Sequence, residues 1–278
     1  MTSMQSYIEP SLEALDLTEE KMDAILAYAK SKNSEYVNNS PFPHIVIDNF
    51  FPDSLLQAIS KEISELKSHE NEKNFHGSMK KFSSRDLCSM GPMTRRILTD
   101  LNSSQFCKFI EELTSISNII PDPHFEGGGI HETSSGGFLK IHADFNYSKP
   151  LQLDRRVNLL IYLNEDWQED WDGRLELWDK EMKEKVVEVL PVFNRMVLFS
   201  TDDFSFHGQP EPTKCPDDHT RKSLALYYYS NGRPEAETSE KRTETDYRAR
   251  PDEKLKKKTK PLRKMVKKVE RLFKKKKD

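Results

Sequence analysis

In the segment FLKIHADF, the triplet His142-Ala143-Asp144 sets an imidazole and a carboxylate two positions apart. The segment is rich in branched and aromatic residues, which predicts a strand, and alternate side chains of a strand point to one face. One nitrogen and one oxygen donor therefore converge on a single point. A redox-active metal such as iron(II) needs ligands on one face only, leaving its other positions to substrate and dioxygen, and two histidines with one carboxylate form such a set. The third ligand has to come from elsewhere in the sheet. His207, in FSFHGQP after the predicted strand RMVLFS and before a proline loop, is the best candidate. His131, in a glycine-rich stretch, is its rival. His44, His69, His76 and His124 precede the β-rich region, and His219 lies in the polar stretch PDDHT.

Arg221-Lys222-Ser223 opens the predicted strand SLALYYY, fourteen residues after His207. A dicarboxylate that chelates a metal at one end needs an anchor at the other, and a guanidinium forks onto a carboxylate through two parallel hydrogen bonds. Arg221 and Ser223 share one face of that strand, so both can bind the same carboxylate.

The order HxD, about sixty residues, His, then Arg-x-Ser about a dozen residues on resembles the 2-oxoglutarate/iron(II) oxygenase superfamily in its prolyl-4-hydroxylase-like branch. DRRVNLLIYLNEDW, DGRLELWDK and PVFNRMVLFS look like the sheet segments between the ligands of that branch, and VIDNFFPDSLLQAISKEI resembles its N-terminal entry. The likeness spans roughly residues 44–230. It implies a double-stranded β-helix, or jelly roll, that uses iron(II), 2-oxoglutarate and dioxygen, with ascorbate as an accessory reductant. The reaction it implies is oxidative decarboxylation of 2-oxoglutarate to succinate and carbon dioxide, coupled to hydroxylation of an unactivated C–H bond. His142, Asp144 and His207 match the metal ligands, and Arg221 matches the residue that binds the distal carboxylate. The chain departs from the branch at Phe138, Leu139 and Lys140, where many members carry a tyrosine, and at Arg221, where collagen-type members carry lysine. Asn158 or Tyr162, on the next strand, are the candidates for the missing polar contact.

The elements that position these residues follow from periodicity. HIVIDNFF predicts a strand, and Pro52-Asp53-Ser54 a helix start ahead of an apolar face of Leu55, Leu56, Ile59, Ile63 and Leu66. Further helices are predicted over 93–101 and 103–116, the second with Phe106, Phe109, Ile110 and Leu113 on one face. The polar stretch 68–91, with His76, Lys80, Lys81 and Arg85, reads as a long loop and a candidate lid. From 125 to 230, FLKIHADF, VNLLIYL, RLELW, VVEVL, RMVLFS and SLALYYY alternate with Gly127 to Gly129, Gly136-Gly137, Asp172-Gly173 and Phe193-Asn194 as punctuation. Helices followed by six or more strands predict an α+β fold, a double-sheet jelly roll with N-terminal helices packed on one sheet. Trp167, Trp171 and Trp178 flank a hairpin and are read as packing its edge rather than as a substrate wall. The run Tyr227 to Tyr229 is read as strand packing.

Three divisions result: a partly helical arm over 1–43, an oxygenase domain over 44–232, and a charged linker with a basic amphipathic helix over 233–278. Residues 248–278 carry 16 Lys+Arg against 4 Asp+Glu, whereas the rest of the chain carries 27 against 42. An acidic body thus bears a basic tail, whose stripe Leu262, Met265, Val266, Val269, Leu272 and Phe273 suits an acidic partner, nucleic acid or an anionic membrane. Three scattered cysteines argue against a disulfide framework or a zinc knuckle. The first residues lack the marks of a secretory leader, and no run approaches about 18 apolar residues, so the expectation is a cytoplasmic protein.

The substrate expected is a protein, with a prolyl residue foremost, or alternatively a free amino acid or other small metabolite. A non-catalytic binding protein acting through its basic tail is the contrasting class, and the intact ligand set argues against it. A nucleic-acid demethylase would carry a second arginine soon after the anchor, but the next one is Arg233.

Overall fold

The computed structural model describes residues 19–66, 73–75, 77–234 and 240–253. Contacts divide the chain into Met1–Arg248 and Ala249–Asp278. The amphipathic helix expected in the tail, and the histidines at 69 and 76, lie outside the described residues.

Among the described residues the α-helices are α1 (Glu19–Asn38), α2 (Asp53–Glu65), α3 (Pro92–Leu101) and α4 (Ser104–Thr114). The face foreseen for α2 is buried through Leu55, Leu56, Ile59 and Ile63. Its Glu62 closes the start of α3, accepting from Met93 N and Thr94 N at 2.9 and 2.8 Å and from Thr94 Oγ1 at 2.7 Å. Ser103 caps α4 by accepting from Phe106 N.

The strands are β1 (His44–Asp48), β2 (Lys73–Phe75), β3 (Ser78–Ser84), β4 (Ile120–Pro121), β5 (Gly129–Ala143), β6 (Tyr147–Ser148), β7 (Leu153–Tyr162), β8 (Leu175–Trp178), β9 (Lys185–Val189), β10 (Arg195–Ser200), β11 (His207–Gln209), β12 (Thr220–Ser230) and β13 (Asp246–Tyr247). Among the described residues they form one curled antiparallel sheet of order β1-β10-β7-β12-β5-β11-β8-β9, with β3 and β13 added along β5.

Central strands are buried on both faces, and the period of two sorts their side chains. Leu159 and Ile161 of β7, Met196 and Leu198 of β10, and Leu224, Leu226 and Tyr228 of β12 share a hydrophobic cluster with Ile25, Leu56, Ile59, Phe106 and Phe109 of the helices. The alternate residues face the inside of the curl. Tyr162, Val197 and Phe199 cluster there with Leu175 and Leu177, and Tyr227 with Ala225 and Tyr229. The helices seal one side of the sheet, so the polar site occupies the other.

Three expectations are corrected. Residues 73–84, read within a loop, contain β2 and β3, and β3 pairs with β5. The strand was illegible because its register slips between Met79 and Lys81, with Lys80 at φ 50°, which breaks the alternation that marks a strand. The strand FLKIHADF is longer than foreseen, since β5 begins at Gly129. Gly136 and Gly137, read as punctuation, lie inside it. Gly136 has φ 78°, and a Cβ on Gly137 would stand 2.8 Å from the Ser134 carbonyl oxygen, so glycine here permits a bend within a strand. The range 233–278 was read as linker and tail, yet residues 246–247 form β13 against β5.

Candidate metal and co-substrate site

His142 stands near the end of β5, and β11 pairs against that strand with His207 directly opposite His142. This register sets the ring centroids 4.5 Å apart. Asp144 lies one residue past the end of β5 rather than within a strand. Its Oδ1 is 3.5 Å from His142 Nε2, and its Oδ2 is 3.4 Å from His207 Nε2. One donor atom from each of the three lies within 4.8 Å of the others.

Both imidazoles are oriented in the same way. His142 Nδ1 pairs with the Lys140 carbonyl at 2.7 Å and His207 Nδ1 with the Ser205 carbonyl at 2.9 Å. A carbonyl only accepts, so each Nδ1 carries a hydrogen, which leaves Nε2 as the atom that each ring would offer to a metal. Burial, then the neighbouring His207, lowers the pKa of His142, which favours the neutral ligating form. Burial alone would raise the Asp144 carboxyl, but Arg155 and the two imidazoles hold it well below the ordinary range. Two imidazoles and one carboxylate, convergent on one point, fit a divalent 3d metal ion.

Arg155 is the residue that sequence reasoning missed. Its Nη2 donates to Asp144 Oδ2 at 2.8 Å, and its side chain is 1% exposed. The guanidinium lies between Tyr227, 3.5 Å from the ring centroid, and Phe145, at 4.6 Å. Strict alternation would put Arg155 and Asn158 on opposite faces. The register of β7 against β12 jumps from Val157 to Arg155, and this bulge at Arg156 turns Arg155 inward. Asn158, foreseen as a contact to the co-substrate, is committed differently. Its Nδ2 donates to Asp144 Oδ2 at 2.8 Å, and its Oδ1 accepts from Arg155 Nε and Nη2 at 3.0 and 2.8 Å.

A cavity of about 230 Å³ joins the three convergent residues to Arg221, Ser223, His131, Thr133 and Lys81. Arg221 is buried, with Nε donating to the Gly173 carbonyl at 2.7 Å and Nη2 to the Tyr162 hydroxyl at 3.2 Å. Nη1 has no hydrogen-bond partner among the described residues. Tyr162 is fully buried and does not line the cavity, so it acts on Arg221. Ser223 lies across from Tyr162 in one ladder and from His131 in the other. His131 is outside the convergent trio, and its Nε2 is paired with the Gly127 carbonyl at 2.9 Å. Burial and then Lys81 push its pKa well below the usual value. None of the three tryptophans lines the cavity. Trp167 Nε1 donates to the Asp172 carbonyl and Trp178 Nε1 to Glu176, as edge packing requires.

The antiparallel curl thus carries His-x-Asp, a facing histidine and a buried arginine around one cavity, a donor set that could hold a divalent metal ion with a cation in reach. Residues 128–229 match the model of the 2OG-Fe(II) oxygenase superfamily. Prolyl 3-hydroxylase OGFOD1 of Mus musculus is 26% identical over 195 residues, which cover 68% of this chain and 33% of that protein. Prolyl 3,4-dihydroxylase OGFOD1 of Ostreococcus tauri is 25% identical over 225 residues, covering 74% and 41% respectively. The chain thus spans between a third and two-fifths of the length of these relatives. The fold is shared with a prolyl hydroxylase from Trichoplax adhaerens, solved in complex with a hypoxia inducible factor oxygen degradation domain peptide fragment. The TM-score is 0.54 at 18% identity, covering 78% of this chain and 95% of that one.

Proposed function

We propose that this chain is an iron(II)- and 2-oxoglutarate-dependent dioxygenase that hydroxylates an unactivated C–H bond of a protein residue, a prolyl residue foremost. The observation that carries it is the convergence of His142, Asp144 and His207 in the same cavity as Arg221. In this reading the curled sheet is the double-stranded β-helix of the superfamily, with the helices packed on its outer side. The prolyl assignment draws on the two curated relatives, which are prolyl hydroxylases by name.

His142 Nε2, His207 Nε2 and a carboxylate oxygen of Asp144 would hold the iron. With 2-oxoglutarate and dioxygen, iron in such a site supplies oxidative decarboxylation coupled to C–H hydroxylation. The protein's own contribution is positional. Arg155 and Asn158 occupy Oδ2 of Asp144, which turns Oδ1 toward the metal position. Arg221 is aimed by Gly173 and Tyr162, and its Nη1 with the Ser223 hydroxyl would receive the distal carboxylate. Leu139, Leu160, Leu175 and Phe199 give the cavity apolar walls that limit water.

The test is succinate release from 2-oxoglutarate by the iron-loaded protein, measured with and without proline-containing peptides. Iron-dependent 2-oxoglutarate binding that His142→Ala abolishes is expected. A chain that neither turns over nor binds 2-oxoglutarate in an iron-dependent way would overturn the reading.

A further inference from the structure

Asp144 stands past the last ladder position of β5, so strand pairing does not fix its peptide. A distant segment does. Arg242 Nη2 donates to the Asp144 carbonyl oxygen at 2.7 Å. The backbone of the same residue is fastened close by: Arg242 N donates to Asn146 Oδ1 at 2.8 Å, and the Arg242 carbonyl accepts from Asn146 N at 3.0 Å and Tyr147 N at 3.2 Å. Asn146 is buried and donates to Asp203 Oδ1 at 2.6 Å and to the Glu240 carbonyl at 3.1 Å. Asp203 in turn lies 3.5 Å from Arg242 Nη1.

A few residues on, β13 pairs Asp246 with Ala143 and Tyr247 with His142, and Arg248 N donates to the Ile141 carbonyl at 2.9 Å. The Tyr247 ring is 5.4 Å from that of His142, and with Thr245 it lines the cavity. A Cβ on Gly77, the residue before β3, would collide with the same ring, so the start of β3 and the end of β13 meet closely along β5.

We propose that residues 240–248 form a strap that completes the metal site, with Arg242 as a positioning residue that sets Asp144 through its backbone carbonyl. The proposal rests on reading His142, Asp144 and His207 as metal ligands. Its physical basis is a division of labour across one short stretch of backbone. The strap's β13 holds the His142 side, Arg242 holds the Asp144 side, and together they fix the angle between two ligands that no single strand spans. The carboxylate is held separately by Arg155 and Asn158, so losing Arg242 frees the Asp144 peptide while the charge stays paired.

Manganese(II), a redox-inert probe of the site, decides the matter by calorimetric titration of the full chain. Wild type is expected to bind one ion, and His142→Ala to abolish that binding. Arg242→Met, which keeps the aliphatic stem without the donors, is expected to weaken affinity about tenfold, the usual effect of removing a partner of a ligand. Arg242→Lys, whose ammonium reaches the same carbonyl, is expected to recover most of the loss, which a purely structural role would not predict. Should Arg242→Met not fold, Arg242→Ala gives the same comparison. Affinity within about twofold of wild type in the variant that lacks the donor overturns the positioning role and leaves the ligand reading standing. Wild type that binds no manganese(II), or that binds it equally after His142→Ala, overturns the ligand reading and the proposal with it.

Discussion

At the scale of single residues, the site is a set of charges each tied to a partner. Removing Arg155 leaves a buried carboxylate without its cation, the costly way to break an ion pair, so Arg155→Ala is expected to lower the stability of the metal-free chain by about 3 kcal/mol in urea unfolding. Arg221, on the proposed reading, bears on a ligand instead. Arg221→Ala is expected to raise the 2-oxoglutarate concentration needed for half-maximal succinate release by at least about tenfold, since a desolvated charge-assisted pair is lost, while Arg221→Lys loses less. Residue type and spacing made His142, Asp144, His207 and Arg221 candidates, with His131 as the rival of His207, and the structure sets these four around one cavity. Arg155 was not legible, because a bulge in β7 overrides the alternation by which a face is read. Asn158, foreseen as a contact to the co-substrate, bonds Asp144 and Arg155 in the structure, a pairing that sequence does not show because it does not reveal that Arg155 turns to meet it.

Among the elements, the central strands were legible from continuous branched and aromatic runs, and α2 and α4 from their apolar stripes. β3 and the first half of β5 were hidden by Lys80 and Gly136, two positive-φ positions inside strands. The edge of the sheet makes its own prediction. Arg195 donates to Asp48 through Nε and Nη2 at 2.7 and 2.8 Å, tying the end of β1 to β10. The hydrogen bond with Arg195 lowers the Asp48 pKa. A carboxyl lowered on folding stabilises above its unfolded value and loses that contribution as pH falls through the folded one. Asp48→Asn should therefore melt below wild type at neutral pH, by under about 1 kcal/mol because the pair is half exposed, and the gap should close below about pH 4. Melting curves at both pH values check it.

For the molecule as a whole, sequence placed the domain's end near residue 232, where apolar residues cease. The structure carries the organisation on to Arg248, because the strap is held by backbone ladders and by Arg242, Asn146 and Asp203 rather than by apolar burial. Composition reports what can be buried, and it is silent on polar segments with matched partners. Among the described residues, every contact to the metal trio comes from positions up to 248. A chain ended after residue 253 is thus expected to keep its manganese(II) affinity within about twofold, whereas one ended after residue 239 should lose about tenfold or more, as titration of the two would show.

The strap also imposes an order in time. A ribosome delivers β5, with His142 and Asp144, roughly a hundred residues before Arg242 and Tyr247. The strands β7, β10, β11 and β12 are made within that interval, and only between the end of β12 at Ser230 and Arg242 can the sheet up to β12 be complete while the Asp144 peptide lacks its fastening. On the proposed reading of His142 and Asp144 as ligands, the last of these segments to be translated is the one that completes the metal site.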